Sequence, residues 1–393
     1  GTTFIKANSN TNNIAIGTEA GENAQRTLAT AVGRQAGSTN QGNSAVAVGN
    51  QAGQVSQGNS SVAIGVLSGC GEQGINSVGI GNAAGRTTQG THSVAVGYQA
   101  GETGQNNFAV AIGTNAGCRA QDGAVAIGSS AGREEQGDSA VAIGGSAGSA
   151  SQGTSAVAIG DAAGQTSQNN NAVAVGINAG NNAQGAQGVA VGNAAGQNAQ
   201  GASTVAIGQE AGRVSQNNYA VSVGREAGCN AQGEHATAMG YQAGEVAQAD
   251  SGTAIGVNAG RNSQGVAATA VGYAAGQNAQ STKATALGRE AGMNAQGESA
   301  VAVGDEAGSN AQGDYSIAVG YLAGSGSQGA SAIAIGNQAG QVSQNLNCVA
   351  IGTLAGENAQ VDYGVALGRE AGKNAQGASA IAIGRVAAVN GQN

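Results

Sequence analysis

The chain repeats itself every sixteen residues, and that periodicity limits the fold more than any other feature. A glycine closes each "AVAIG"-type phrase, at Gly17, Gly33, Gly49, Gly65, Gly81, Gly97 and Gly113. One step of fifteen leads to Gly128, and steps of sixteen then continue through Gly144 and Gly160 to Gly384. The 24 copies cover nearly the whole chain of 393 residues. Residues 1–10 form a lead-in outside the pattern, and 11–393 read as one continuous repeat region with no linker and no second composition. Self-similarity at a short fixed period is the mark of a solenoid, in which each unit buries its apolar face only against its neighbours.

The copies align with one another inside a single molecule. With the anchor glycine at position 0, position −1 is always Ile, Val, Leu or Met, and position −3 is always Val, Ile or Thr. Positions −2 and −4 are small, mostly Ala. Position +3 is Ala except at Ser68, +4 is Gly except at Ala388, and +8 is Gln in every copy. Position +9 is mostly Gly or Asn, whereas +1, +2, +5 and +6 drift among polar residues. The period-2 "AVAI" phrase predicts a strand. A helix would carry two or three Gly per copy at about 1 kcal/mol each. Gly at 0 and +4, and Gly or Asn at +9, are expected at corners with positive φ. Each copy therefore reads as strand, corner, a short strand around +5 to +8, and corner. The predicted fold is all-β: a flattened parallel β-roll, or β-solenoid, of 24 sixteen-residue coils stacked at the ~4.8 Å strand spacing.

The Val/Ile pair at −3 and −1 shares one strand face and forms aliphatic ladders, each buried side chain contributing about 1.5–3 kcal/mol. Asp in place of Ile159 is then expected to place an unpaired charge in an apolar ladder. Ala at −2 and −4 makes the opposite face flat and apolar as well. A strand covered on one side only is expected to be polar on the other, so the Ala strip calls for a cover, and another copy of the same rod supplies it. The sequence does not decide which face is the inner one. Thr30, Thr237, Thr253, Thr269 and Thr285 at −3 point to local access to a polar group.

The ladder Gln, exemplified by Gln152, Gln168, Gln184, Gln200 and Gln216, reads as structural: a stacked amide ladder, or an amide satisfying a corner carbonyl or N–H. A ligand array would need regular neighbours at +5 and +6.

Composition narrows function by exclusion. There are 72 Gly, no Pro and 2% aromatics, yet Gly does not fall at every third position as in collagen. Formal net charge is −8, which argues against nucleic acid and anionic membranes as partners. No apolar run approaches the ~18 residues of a membrane span. The start at Gly1 reads as that of a mature or excised piece. Catalysis would break the repeat, and the breaks offer little. His92 and His235 stand alone, and "GREEQGD" at Gly132–Asp138 reads as a solvated corner. "GSGSQG" at Gly324–Gly329 and the "NSS" sequon at Asn59 are weak matches in so repetitive a chain. No catalytic, cofactor or metal residue is nominated, and the chain reads as a non-enzyme. Cys70, Cys118 and Cys229 occupy +5, read as an outer site, and Cys348 occupies −4. Cys70 and Cys118 lie three coils apart, roughly 14 Å at the strand spacing, beyond disulfide reach. The four thiols are expected to be free or linked to another chain.

"SSVAIG" at Ser60–Gly65 and "HSVAVG" at His92–Gly97 resemble the head repeats of trimeric autotransporter adhesins, the YadA-like family. The resemblance implies a left-handed parallel β-roll, three chains packed through one face of their rolls, and an extracellular place on a cell surface. Family heads often bind matrix proteins. This chain departs from the family in its sixteen-residue period, against about fourteen, and in lacking a neck, a coiled-coil stalk and a membrane-anchoring barrel. Similar phrases occur in viral and phage fibres, so a virion surface fits as well. The expected function is a structural and adhesive fibre, a homotrimeric rod that spaces and presents the side chains at +1, +2, +5 and +6 to a host or matrix surface ligand, with no membrane insertion by this region. The alternative is a flat-face binding solenoid, such as an ice-binding monomer with its Ala strip exposed.

Overall fold

The computed structural model describes residues 5–8, 12–120 and 122–392. It is all-β: the elements are short strands, nearly all paired in parallel with the strand one repeat away. The chain divides into two compact units, Gly1–Ala199 and Gln200–Asn393, each a β-solenoid of the same coil.

One coil of the first unit shows the plan. Val157–Ile159 forms the first strand, and Thr166–Gln168 forms the second. In the first wall, Val157, Ala158 and Ile159 pair with Val173, Ala174 and Val175 of the next coil. In the second wall, Thr166 and Gln168 pair with Asn182 and Gln184. Equivalent positions therefore stack on one another. The second unit repeats this, with Thr253–Ile255 on Thr269–Val271 and Gln264 on Gln280.

The sixteen-residue length works because the corners turn tightly. Gly160 at position 0 has φ 128° and Gly164 at +4 has φ 50°, both in the region that favours glycine. A Cβ on Gly160 would come within 2.6 Å of the carbonyl oxygen of Gly176 in the next coil, and one on Gly164 within 2.6 Å of the Gln168 amide oxygen. The two fixed glycines thus have different partners: one admits the neighbouring backbone and the other admits the fixed glutamine.

Position +9 departs from expectation. Gly137, Gly153 and their equivalents do not have positive φ. A Cβ on Gly137 would meet the Gly153 carbonyl carbon at 2.6 Å, so glycine is preferred there for close coil-to-coil approach. Left-handed conformation falls instead at +2, +7 and +11, on Ala162 (53°), Ser167 (55°) and Ser155 (55°) of successive corners.

The core also inverts one expectation. Ala158 at −2 and Ala156 at −4 are fully buried, as is Ala163 at +3, whereas Ile159 is 38% exposed and Val157 half-buried. The Ala face is the inner one, and the Val/Ile ladders lie outside. In the second unit the core cluster consists of Ala alone, alternating between −2 and +3 from Ala227 to Ala318. The space between the two walls is filled by small side chains, Ala in most coils and Ser, Cys or Thr in a few, apart from the ladder glutamines. A local exchange makes the same point. Ser68 replaces Ala at +3 where Gly79 replaces Ala at −2, and Ser68 Oγ donates to the Gly79 carbonyl at 2.7 Å. A methyl on Gly79 would sit 2.9 Å from that oxygen.

Within the lead-in, Ile5–Asn8 pairs antiparallel with Asn13–Ile16 of the first coil, so the outer edge of that strand is occupied. Residues 1–4 and 9–11 lie outside the described residues, as do Gln121 and Asn393. The fifteen-residue step is visible in the second wall, where Ala120, fully buried, pairs with Gln136 in the place a ladder glutamine takes elsewhere.

Candidate functional site

Three sets of columns deserve comparison as sites: the buried amides, the exposed corners and the outward face of the first wall. The amides are built from the +8 position, which points inward at the end of the second strand. Gln168 Nε2 donates to the Val157 carbonyl at 2.9 Å and to Gln184 Oε1 at 3.0 Å. Gln152 Nε2 does the same to Val141 at 2.8 Å and to Gln168 Oε1 at 3.1 Å. Gln184 donates to the carbonyls of Val173 and Gly188. In the second unit Gln200 Nε2 donates to Gln216 Oε1 at 3.2 Å, and Gln216 continues to Gln232 at 3.0 Å. From there the amide chain runs unbroken to Gln376. Each amide therefore ties the second wall to the first and one coil to the next. Ser222, a rare polar residue at −2, joins the ladder by donating to Gln232 Oε1 at 2.6 Å. In the first unit the described links form shorter runs, Gln73 to Gln105 and Gln152 to Gln184. Ala120 occupies the ladder position between those runs. These amides are 0–3% exposed, so they hold the roll together and offer nothing to a ligand.

The corners carry the variable residues, and they are more ordered than the sequence suggests. Position +6 is a second, outward amide ladder wherever Asn recurs: Asn262 donates to Asn278, Asn278 to Asn294 and Asn294 to Asn310, at 2.9–3.1 Å. Asn or Asp at +10 accepts from the backbone N–H of the preceding coil, as Asn170 does from Thr154 and Asp314 from Glu298. The strength of the latter signal in the sequence was masked by residues at +10 that lack a carboxylate or amide. Position +5 is not an outer site: Cys229 is buried and Cys70 and Cys118 are half-buried, while Cys348 at −4 is fully buried. Burial pushes all four thiols above the ordinary thiol range; Arg86 partly offsets this at Cys70, and Arg213 at Cys229. All four are free.

The remaining breaks in the repeat hold no assembled chemistry. His92 stacks on Phe108 with ring centroids 5.3 Å apart, and Asn76 Nδ2 lies 3.1 Å from its Nε2. His235 stacks on Tyr219 at 4.9 Å. Both pairs sit in the exposed +11 column. Glu134 is bonded to Arg133 at 2.6 Å, and the guanidinium holds its carboxyl below the usual range. Glu135 and Asp138 are exposed. Among the described residues no three His, Cys, Asp or Glu side chains are grouped to hold a metal ion. Nor, among the described residues, is any helix long and apolar enough to cross a membrane.

That leaves the outward face of the first wall. In the second unit its −1 column runs Ile207, Val223, Met239, Ile255, Val271, Leu287 and Val303, with Ile207, Met239, Ile255 and Leu287 38–46% exposed. The −3 column beside it is half-buried Val, Ile or Thr, with Ile381 in the last coil exposed. Neither column carries a charge in any copy. Tyr241, Val257 and Tyr273 at +1 widen the apolar strip, and the Arg225 guanidinium sits 5.5 Å over the Tyr241 ring. A strip three residues wide along the strand is about 10 Å across, or roughly 50 Å² per coil at the strand spacing.

Neither a scan against protein-family models nor a search of curated proteins finds a match for this chain.

Proposed function

We propose that the chain is a structural fibre element that associates with copies of itself through the Val/Ile face and presents its variable corners to the surroundings. The observation that carries this reading is the uncharged, half-exposed aliphatic strip that recurs in every coil. At roughly 50 Å² per coil, 24 coils supply on the order of 1,200 Å² per copy, shared between the two units. A monomer ordinarily exposes apolar patches of a few hundred Å², and a standard stable interface uses about 800 Å² per partner. Three copies around a closed axis would leave no such face uncovered; the choice of three follows the resemblance to autotransporter head repeats. So does the placement on a cell or virion surface, where a host or matrix ligand would meet the exposed columns +6, +7, +10 and +11. The ice-binding alternative was founded on an exposed Ala strip, and that strip is buried. Mass photometry and sedimentation of the full chain test the reading: a stable trimer supports it, and a soluble monomer at micromolar concentration overturns it.

A further inference from the structure

The Val/Ile face is nearly the same at every coil, and that creates a difficulty for any assembly built on it. Copies displaced by one coil would match almost as well as copies that are level. A sixteen-residue repeat therefore needs a marker that distinguishes one rung from the next.

The second unit carries one. The −3 column is Val or Ile in every coil except at Thr30 and at four consecutive rungs, Thr237, Thr253, Thr269 and Thr285. These four stack directly on one another through parallel pairing. Their side chains lie on the outward face, half-buried. Among the described residues, none of their hydroxyls has a hydrogen-bond partner within the chain. The block is bounded in the adjacent −1 column by Met239 beside Thr237 and Leu287 beside Thr285, in a column that elsewhere is Val or Ile except at Leu367. Ile255 and Val271 lie between them.

We infer that the block Thr237–Thr253–Thr269–Thr285 sets the register of self-association, with a second copy of this chain as its partner. The inference rests on the self-assembly proposed above. A hydroxyl both donates and accepts, so it is complementary to another hydroxyl. Val and Ile offer it nothing. When copies are level, the four Thr rungs of each stand at the same height and their hydroxyls share partners or trapped water. When copies slip by one coil, a Thr of each copy is set against an aliphatic rung and its hydroxyl is buried without a partner, which is unfavourable. The long Met239 and Leu287 side chains add a steric mark at each end of the block. A buried polar position that fixes alignment at some expense of stability is the established device in coiled coils.

Cryo-electron microscopy of the assembled full chain tests this. The unaltered protein is expected in one level register. The fourfold variant Thr237→Val, Thr253→Val, Thr269→Val and Thr285→Val restores the residue most other coils carry, so the coil is kept, and it is expected to populate several registers displaced by whole steps of about 4.8 Å. The fourfold Thr→Ser variant retains the hydroxyls and is expected to remain in one register. A fourfold Val variant that stays uniformly level overturns the register inference and leaves self-association standing, as does an unaltered protein with mixed registers. Unaltered copies that do not associate overturn both.

Discussion

Gln168 Nε2 lies 3.0 Å from Gln184 Oε1 in the next coil, and both amides are buried. The same Nε2 reaches the Val157 carbonyl across the roll. One side chain thus joins two walls and two coils, and its length is set by both distances. Gln168→Ala is expected to leave the Val157 carbonyl and Gln184 Oε1 without their donor, at a loss of about 1–3 kcal/mol. Gln168→Asn keeps the amide but falls one methylene short, and is expected to recover only part. Because solenoid coils interact mainly with neighbours, the loss should be local. Hydrogen exchange is the measurement: faster exchange confined to the coils around residues 157–184 is expected, and unchanged protection there would remove the ladder from the account of stability.

Ser68 and Gly79 compensate one another, and a double-mutant cycle makes this measurable. Gly79→Ala alone sets a methyl 2.9 Å from Ser68 Oγ, and overpacking of this kind costs typically 1–3 kcal/mol. Ser68→Ala alone removes the bond to the Gly79 carbonyl and leaves space. The double variant restores the Ala pair of the other coils. It is expected to be at least as stable as the starting protein, with a coupling energy of about 0.5–3 kcal/mol by denaturant melts. Additive effects would mean the two residues do not share one space.

Much of the fold was legible because 24 copies act as an alignment within one chain. The period gave the coil, "AVAI" gave the first strand, and the fixed Gln and Gly marked inner positions and corners. Orientation of the first strand was not legible, because both of its faces are apolar. The habit of placing the larger apolar residue inside misleads when the space between the walls is taken by small side chains, as at Ala158. The left-handed columns at +2, +7 and +11 were missed because Ala162, Ser167 and Ser155 give no glycine signal; the surrounding hydrogen bonds impose that conformation. Position +5 drifts among types, which hid how far Cys229 is buried. The outward strip as a candidate site was half legible: two apolar faces on one strand could be read, but the face left outside is Val/Ile and not Ala.

The thiols yield a prediction with a definite sign. Burial holds the thiols above the ordinary thiol range, so the folded chain binds those protons more tightly than the unfolded chain. Stability from this source is full below the unfolded thiol value and falls as pH rises through it toward the folded value. The denaturation midpoint is expected to drop above roughly pH 9, by more in the native chain than in one carrying Cys229→Ser and Cys348→Ala. Alkylation by iodoacetamide at neutral pH is expected to be slower than that of free cysteine, since the thiolate is the reacting species. Equal alkali sensitivity of the two chains, or rapid alkylation of the folded protein, would contradict the burial of these side chains.

Neighbouring residues on one strand should respond in opposite ways. Ala158 is fully buried between the walls, and Ile159 points outward with 38% of its surface exposed. Ala158→Val adds two methyl groups to a space filled by Ala163, Ala174 and the ladder amides, and is expected to destabilise the coil by about 1–3 kcal/mol. Ile159→Asp puts a charge where water already reaches, so the isolated chain is expected to lose less than about 1 kcal/mol, mostly through the poorer strand propensity of Asp. The same charge lies on the face proposed to pack against another copy. Burying it there without a partner is strongly unfavourable, so association is expected to weaken even though the coil survives. Thermal melts at low concentration, paired with mass photometry across a dilution series, separate the two effects. A fold as sensitive to Ile159→Asp as to Ala158→Val would mean that the Val/Ile ladder lies inside the roll after all.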